Sequence, residues 1–374
     1  MINKTDRPIV IELIGMGAKK YGGLEKFIIE ECRQLKAKGI GLLVVFSVDP
    51  VCKSYIHDIE KLGAEWMVVP FGNSYTYYKR IKTIIKERKV LAIHKNFGKK
   101  NLLSLVAAKQ LGVKYRISTE HCFPDMSRIG AIGYYNLELP FCTKKLCVSK
   151  ATTEAMRGAH LLKKGKIETE YLGVSDFFFD KEKMQYKYNI SPNLVNIVNV
   201  AYHNPIKGVD VLLRSVKVLV EKYHQTHFQV LQIGGGQTPQ QTEELHALEA
   251  QLGISDYIRW IGVTDVVPEY LSACDVYVQP SRSEGIPLSI MEASLASIPT
   301  VATRVGGIPE VVQEGETGLL CDIEDFEALA GLLNKMITDK EMRVMMGKKA
   351  RHVALDKFEI KNNVSNLIKR YGIE

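Results

Sequence analysis

Two carboxylates, Glu284 and Glu292, stand eight residues apart in the segment 280–320, PSRSEGIPLSIMEASLASIPTVATRVGGIPEVVQEGETGLL. An apolar run, Asp275-Val276-Tyr277-Val278-Gln279, precedes them and reads as a strand that stops at Pro280-Ser281. A polar loop follows, and Pro287 suits the first turn of a helix, where its fixed φ fits and its missing N–H costs nothing. Leu288, Met291, Glu292 and Leu295 then recur at helical spacing. One carboxylate therefore lies in a strand-to-helix loop and the other one turn inside the helix. Between them, Gly285, Ile286, Pro287 and Leu288 set a helix start whose unpaired N–H groups and positive dipole end favour phosphate. Like charges repel, so the flanking carboxylates do not bind phosphate, but they can accept hydrogen bonds from sugar hydroxyls. Diphosphate in the middle with hydroxyls at both ends describes a nucleotide-sugar.

Other residues could share that chemistry. Gly15-Met16-Gly17-Ala18-Lys19-Lys20-Tyr21-Gly22-Gly23 follows the first strand and opens a helix, a place where backbone N–H groups approach phosphate. It lacks the G-x-G-x-x-G spacing, with Lys20 where the third glycine would fall, which disfavours a nicotinamide dehydrogenase. His94 and His121 each end a predicted strand, where open α/β sheets bind ligands. No third ligand follows this histidine pair at a suitable spacing, so no metal site is expected. Lys207 opens an apolar helix, Lys207-Gly208-Val209-Asp210-Val211-Leu212-Leu213, as a point charge suited to an anion.

Four linked elements now stand in order: strand-Pro-Ser, E-G-x-P-L, V-G-G-I-P-E and G-x-T-G-L-L. Together they resemble the signature of glycosyltransferase family 4, also called group 1. The resemblance implies an α/β chain of GT-B architecture, two Rossmann-like domains with parallel sheets facing across a cleft. It also implies a retaining, metal-independent transferase that takes a sugar from a nucleoside diphosphate and needs no cofactor. By the same resemblance Glu292 would hold the ribose and Glu284 the donor sugar. Lys207, the amides from Gly285 to Leu288, and the Gly22-Gly23 turn would meet the diphosphate. His121 resembles the family's active-site histidine and His94 a second, lesser one. The family usually has an arginine five residues before this lysine, where Tyr202 stands, so His203 or Arg282 is expected to replace it unless the protein is slow or inactive.

Composition and layout agree with two domains. A chain of 374 residues exceeds one typical core, and no apolar run approaches the roughly 20 residues that span a bilayer. No signal-peptide pattern is read at the start, and seven cysteines without a C-x-x-C pair suggest reduced thiols in a cytoplasmic setting. Apolar strands alternate with helical stretches in both halves, giving domains over 1–180 and 190–357, with a last amphipathic helix within 358–374 expected to return to the first.

Charge is uneven. Residues 1–175 hold 30 Lys+Arg against 16 Asp+Glu, and the remainder 20 against 26. Twelve basic residues between Lys79 and Arg116 face only Glu87, and Tyr77, Ile81, Ile84 and Ile85 run as an apolar stripe among them. This pattern suggests an anionic membrane surface or an anionic lipid-linked acceptor, hence surface polysaccharide assembly at the inner face of the cell membrane, or else a helix packed on the sheet with a solvated basic face. Nucleic acid is not expected, since no aromatic-and-basic motif accompanies the charge. Two rival readings stay open: a nucleotide-sugar epimerase of the same architecture, and a nucleotide-sugar-binding protein without turnover.

Overall fold

The computed structural model describes residues 7–18, 21–124, 129–159 and 164–374. Lys19 and Lys20 of the glycine-rich loop lie outside the described residues. The chain forms two compact units, one of the residues up to Val174 together with Ile360–Glu374, the other Ser175–Glu359.

Each unit is built on one parallel sheet with helices as crossovers. In the first, β1 (Ile9–Leu13), β2 (Gly41–Phe46), β3 (Glu65–Val68), β4 (Val90–Lys95), β5 (Tyr115–Glu120), β6 (Lys144–Cys147) and β7 (Ile167–Thr169) lie in the order β3-β2-β1-β4-β5-β6-β7. In the second, β8 (Val195–Val200), β9 (Phe228–Ile233), β10 (Ile258–Gly262), β11 (Val276–Gln279), β12 (Thr300–Thr303) and β13 (Gly318–Cys321) lie in the order β10-β9-β8-β11-β12-β13. Strand β2 is buried along its whole length, as expected for a strand covered by helices on both faces. In both sheets the order reverses beside the first strand, at β1/β4 and at β8/β11. The crevice beyond the carboxyl ends of those strands is where open sheets place ligands.

Core residues on the two faces of the first sheet explain its helices. The helix Gly23–Ala37 buries Phe27, Ile28, Cys32 and Leu35 against Val10, Leu42 and Val44. The helix Ile360–Arg370 joins the same cluster through Ile360, Val364, Leu367 and Ile368. Each such aliphatic side chain contributes about 1.5–3 kcal/mol when fully buried. Gln34 Nε2 donates to the Lys361 carbonyl at 2.9 Å, and Asn363 Nδ2 to the Leu172 carbonyl at 3.0 Å, so polar contacts fix the register of the return.

The apolar stripe packs on the sheet, the second of the two readings of this helix. Tyr77, Ile81, Ile84 and Ile85 lie in the helix Ser74–Lys86 and pack with Ile9, Ile11 and Leu43 in the core. Lys79, Arg80 and Lys86 are left as a solvated basic face. An amphipathic helix satisfies its apolar side once, and here the sheet has taken it.

Candidate functional site

Residues 280–287 leave β11 at the crossover of the second sheet. Glu284 is 8% exposed, so its carboxylate oxygens need hydrogen-bond donors from the protein. Three converge on Oε1: Lys207 Nζ at 2.7 Å, Ser281 Oγ at 2.8 Å and Gln279 Nε2 at 3.0 Å. Lys207 comes from the short turn Pro205–Lys207 after β8, so the ion pair ties the loops of two neighbouring strands. The backbone around Glu284 is braced as well. Gly307 N–H donates to the Gly285 carbonyl at 3.1 Å and the Thr303 hydroxyl to the Ser281 carbonyl at 2.5 Å. Gly306 has φ +53°, and a Cβ there would overlap the carbonyl oxygen of Glu284. Glycine tolerates both conditions, which gives the V-G-G element a reason to follow the carboxylate pair.

Pro287 proves to be the residue before the first helical turn rather than part of it. The helix spans Leu288–Leu295, and the Pro287 carbonyl accepts from the N–H groups of Ile290 at 3.2 Å and Met291 at 3.4 Å. Gly285, Ile286 and Pro287 are buried, while Leu288 and Glu292 are partly exposed. An N–H donor at such a helix start has no intrahelical acceptor.

The three residues around the missing arginine behave differently from one another. Tyr202 is 41% exposed in the loop after β8. His203 is buried, its Nδ1 lies 2.8 Å from Thr242 Oγ1, and its ring meets Trp260 edge-on. Burial, then His246, lowers its pKa, and Nε2 has no protein partner. Arg282, offered by sequence as a replacement cation, is tied down instead. Its guanidinium forks onto Asp210 at 2.9 and 2.7 Å and also bonds Glu324 and the Pro205 carbonyl. The Asp210 bond, then Glu324, raises the Arg282 pKa, while Asp210 stays below its usual range because that fork outweighs burial. Arg282 therefore braces the Lys207 turn by holding the helix Val209–Glu221 to the 280–287 loop.

The first unit gathers a second set of polar groups at the ends of β1, β4 and β5. His121, just past β5, is partly exposed and stacks on Phe97 with ring centres 4.5 Å apart. Its Nε2 lies 2.8 Å from Asn96 Oδ1. Burial, then His94, Lys145 and Lys95, lowers its pKa to about 3, so it is neutral at pH 7. His94 lines the same small cavity as His121 but is itself buried. Its Nδ1 meets Glu12 Oε1 at 2.8 Å and Tyr371 Oη at 2.9 Å, and its Nε2 meets Thr119 Oγ1 at 2.7 Å, so both nitrogens are closed inside the protein. Burial holds its pKa down to about 4. At Gly22 the N–H reaches its own helix, donating to Glu25 Oε2 at 3.0 Å, while Gly23 begins the helix Gly23–Ala37. Among the described residues no group of three His, Cys, Asp or Glu side chains could hold a metal ion.

Sequence reasoning missed the holders of these groups. Gln279 and Ser281 were visible only as a strand end, and Asn96 not at all. Glu12 carried a signal, since it is a charge in the middle of an apolar strand.

Comparison with known proteins identifies the second unit. Residues 180–353 match the model of the glycosyl transferases group 1. This segment is a group 1 glycosyltransferase domain. The chain is 27% identical over 281 residues to N-acetyl-alpha-D-glucosaminyl L-malate synthase of Bacillus anthracis, covering 73% of this chain and 72% of that protein. It is 39% identical over 150 residues to D-inositol 3-phosphate glycosyltransferase of Corynebacterium efficiens, covering 39% of this chain and 35% of that one. HepE from Anabaena, solved in complex with UDP, has a TM-score of 0.83 at 18% identity, covering 97% of this chain and 99% of its own. The fold is GT-B, with parallel-sheet domains of seven and six strands.

Proposed function

We propose that this protein is a retaining glycosyltransferase that moves a sugar from a nucleoside diphosphate to an acceptor hydroxyl without a metal ion. The observation that carries the reading is the Lys207–Glu284 pair at 2.7 Å, braced beside the start of the helix Leu288–Leu295. A cation next to unpaired helix N–H groups suits a diphosphate leaving group, and a held carboxylate suits the hydroxyls of the transferred sugar. Glu292 then serves the ribose, and His121 the donor sugar.

For the acceptor, the basic excess of the first 175 residues favours an anion. Our preferred class is a lipid-diphosphate-linked glycan, met by a protein resting at the cytoplasmic face of a membrane. Among the described residues no helix is long and apolar enough to cross one. A small anionic acceptor is the second reading, because two relatives are named for L-malate and D-inositol 3-phosphate.

The test is a thermal-shift panel of UDP, GDP, ADP and CDP, each with and without magnesium. A ligand that binds the native state stabilises it by mass action, by about 2.7 kcal/mol at a hundred times Kd, and so raises the melting temperature. We expect one nucleotide to act, equally in both buffers, and its sugar esters then to be consumed only with an acceptor present. Donor turnover without acceptor would point to an epimerase. Binding without turnover would point to a non-catalytic protein, and no shift at millimolar concentration would overturn the donor site.

A further inference from the structure

A buried chain of hydrogen bonds runs from Tyr371 to His121. Asn96, at the end of β4, is 6% exposed, and its amide bridges two groups. Nδ2 lies 2.6 Å from Glu12 Oε2, and Oδ1 lies 2.8 Å from His121 Nε2. Glu12 is also met on Oε1 by His94 Nδ1 and by the Tyr371 hydroxyl, each at 2.8 Å. The same hydroxyl lies 2.9 Å from Glu31 Oε1. Both carboxyls are 1% exposed.

Proton counting assigns the donors. Two buried carboxyls so close cannot both ionise, so one keeps a proton. Asn96, His94 and Tyr371 all converge on Glu12, whereas Glu31 is met by Tyr371. Burial raises Glu12 to about 8 and Glu31 well above its usual range, so Glu31 donates to Tyr371, which donates onward to Glu12. Oε2 of Glu12 accepts whether the group is ionised or holds a proton on Oε1, so the Asn96 NH2 points toward it. That leaves Asn96 Oδ1 toward His121, and an amide oxygen there requires the proton on Nε2. Nδ1 is then the acceptor nitrogen of His121.

Tyr371 reaches this place because of how the chain ends. It follows the helix Ile360–Arg370 and is fully buried. Gly372 has φ +69°, and a Cβ there would overlap the Tyr115 ring, so the turn beyond Tyr371 requires glycine.

We propose that Asn96 and Tyr371 are positioning residues for His121: acting through Glu12, they lock it in the Nε2–H tautomer and present Nδ1 to a substrate hydroxyl. The last clause rests on the glycosyltransferase reading, whereas the tautomer does not.

The test uses the full-length protein labelled with 15N in its histidines, with two-bond proton–nitrogen spectra at pH 7 and His121 assigned from His121→Gln. We expect a single neutral His121 with Nε2 protonated. In Tyr371→Phe, which keeps the ring, and in Asn96→Leu, the two nitrogen shifts should move toward each other as the tautomers mix. A wild-type spectrum showing Nδ1–H or an imidazolium would overturn the proposal. So would unchanged His121 shifts in both variants while each keeps the wild-type fold. Where transfer is observed, Tyr371→Phe should lower kcat by about tenfold, as loss of outer partners of oriented histidines does, with KM for the donor little changed. An Nε2–H tautomer in a protein that transfers no sugar would sink the enzymatic reading and leave the positioning network standing.

Discussion

Lys207→Met removes the one charged partner of Glu284 among the described residues. Breaking a fully buried ion pair on one side costs about 3–5 kcal/mol, because the remaining charge is left uncompensated. Two features reduce that here. Ser281 and Gln279 still donate to Oε1, at 2.8 and 3.0 Å, and the Lys207 side chain is 26% exposed, so water already reaches the pair. An expected loss of about 2 kcal/mol remains once the surface discount is taken. Glu284→Gln should cost less, about 0.5–1 kcal/mol, since the amide oxygen keeps both neutral donors and Lys207 can turn to water. The double variant should then be more stable than Lys207→Met alone, with a coupling of roughly 1–1.5 kcal/mol. For a unit of this size, 2 kcal/mol shifts Tm by about 4–8 °C. Melting of the four proteins, read at the transition of the second unit, tests the cycle. Equal Tm for Lys207→Met and wild type, or no recovery in the double variant, would refute the claim that Lys207 neutralises a buried Glu284.

Three further outcomes follow from the same geometry. Gly306→Ala should lose about 3 kcal/mol, the left-handed backbone accounting for 1–2 and the overlap with the Glu284 carbonyl for the rest. It should also abolish any nucleotide-induced rise in Tm, and a variant that still responds would show that the brace is dispensable. Tyr202→Arg restores a second cation, and on the transferase reading should raise turnover by roughly a hundredfold, the scale of one electrostatic donor; unchanged turnover would mean that Tyr202 is no deficit. Stability should fall as pH rises above about 6.5. Burial raises the Glu12 and Glu31 pKa values on folding, so the native state holds a proton that the unfolded chain releases near 4.5. His94 and His121, lowered to about 4 and about 3, work in the opposite sense, but their contribution is complete by about 6.5. Melting scans from pH 6.5 to 8.5 should show a shallower decline for Glu31→Gln than for wild type.

The sheets were legible because parallel strands buried on both faces write themselves as short apolar runs. Every strand was readable that way except β7, whose Ile167-Glu168-Thr169 is three residues long, lies at a sheet edge and carries a charge. The apolar stripe of Tyr77, Ile81, Ile84 and Ile85 was legible as a helix face, but periodicity gives the face without naming what covers it. Chemistry-bearing loops were legible where their residues are close in sequence, as from Ser281 to Glu292. Long-range partners were not. Arg282 looked available until Asp210 and Glu324, 72 and 42 residues away, proved to hold it. His94 was legible as a lesser companion of His121, but not its partner Tyr371, 277 residues on, which meets one of its nitrogens.

The structure also sharpens what Tyr202 means. Four groups could have supplied positive charge near the Glu284 loop, and three are excluded for separate reasons. Tyr202 is neutral by type, His203 is held neutral by burial, and Arg282 is spent on two carboxylates that keep it charged and immobile. Lys207 remains, and its charge is already matched by Glu284. A diphosphate arriving at the helix start would compete with that carboxylate for a single ammonium. Glu284 can yield it, because Ser281 and Gln279 stay behind as donors at hydrogen-bond distance. The two neutral donors are thus as much a part of the site as the lysine. On the proposed reading, a diphosphate bound without them would strand a buried carboxylate, and the pair would resist that ligand.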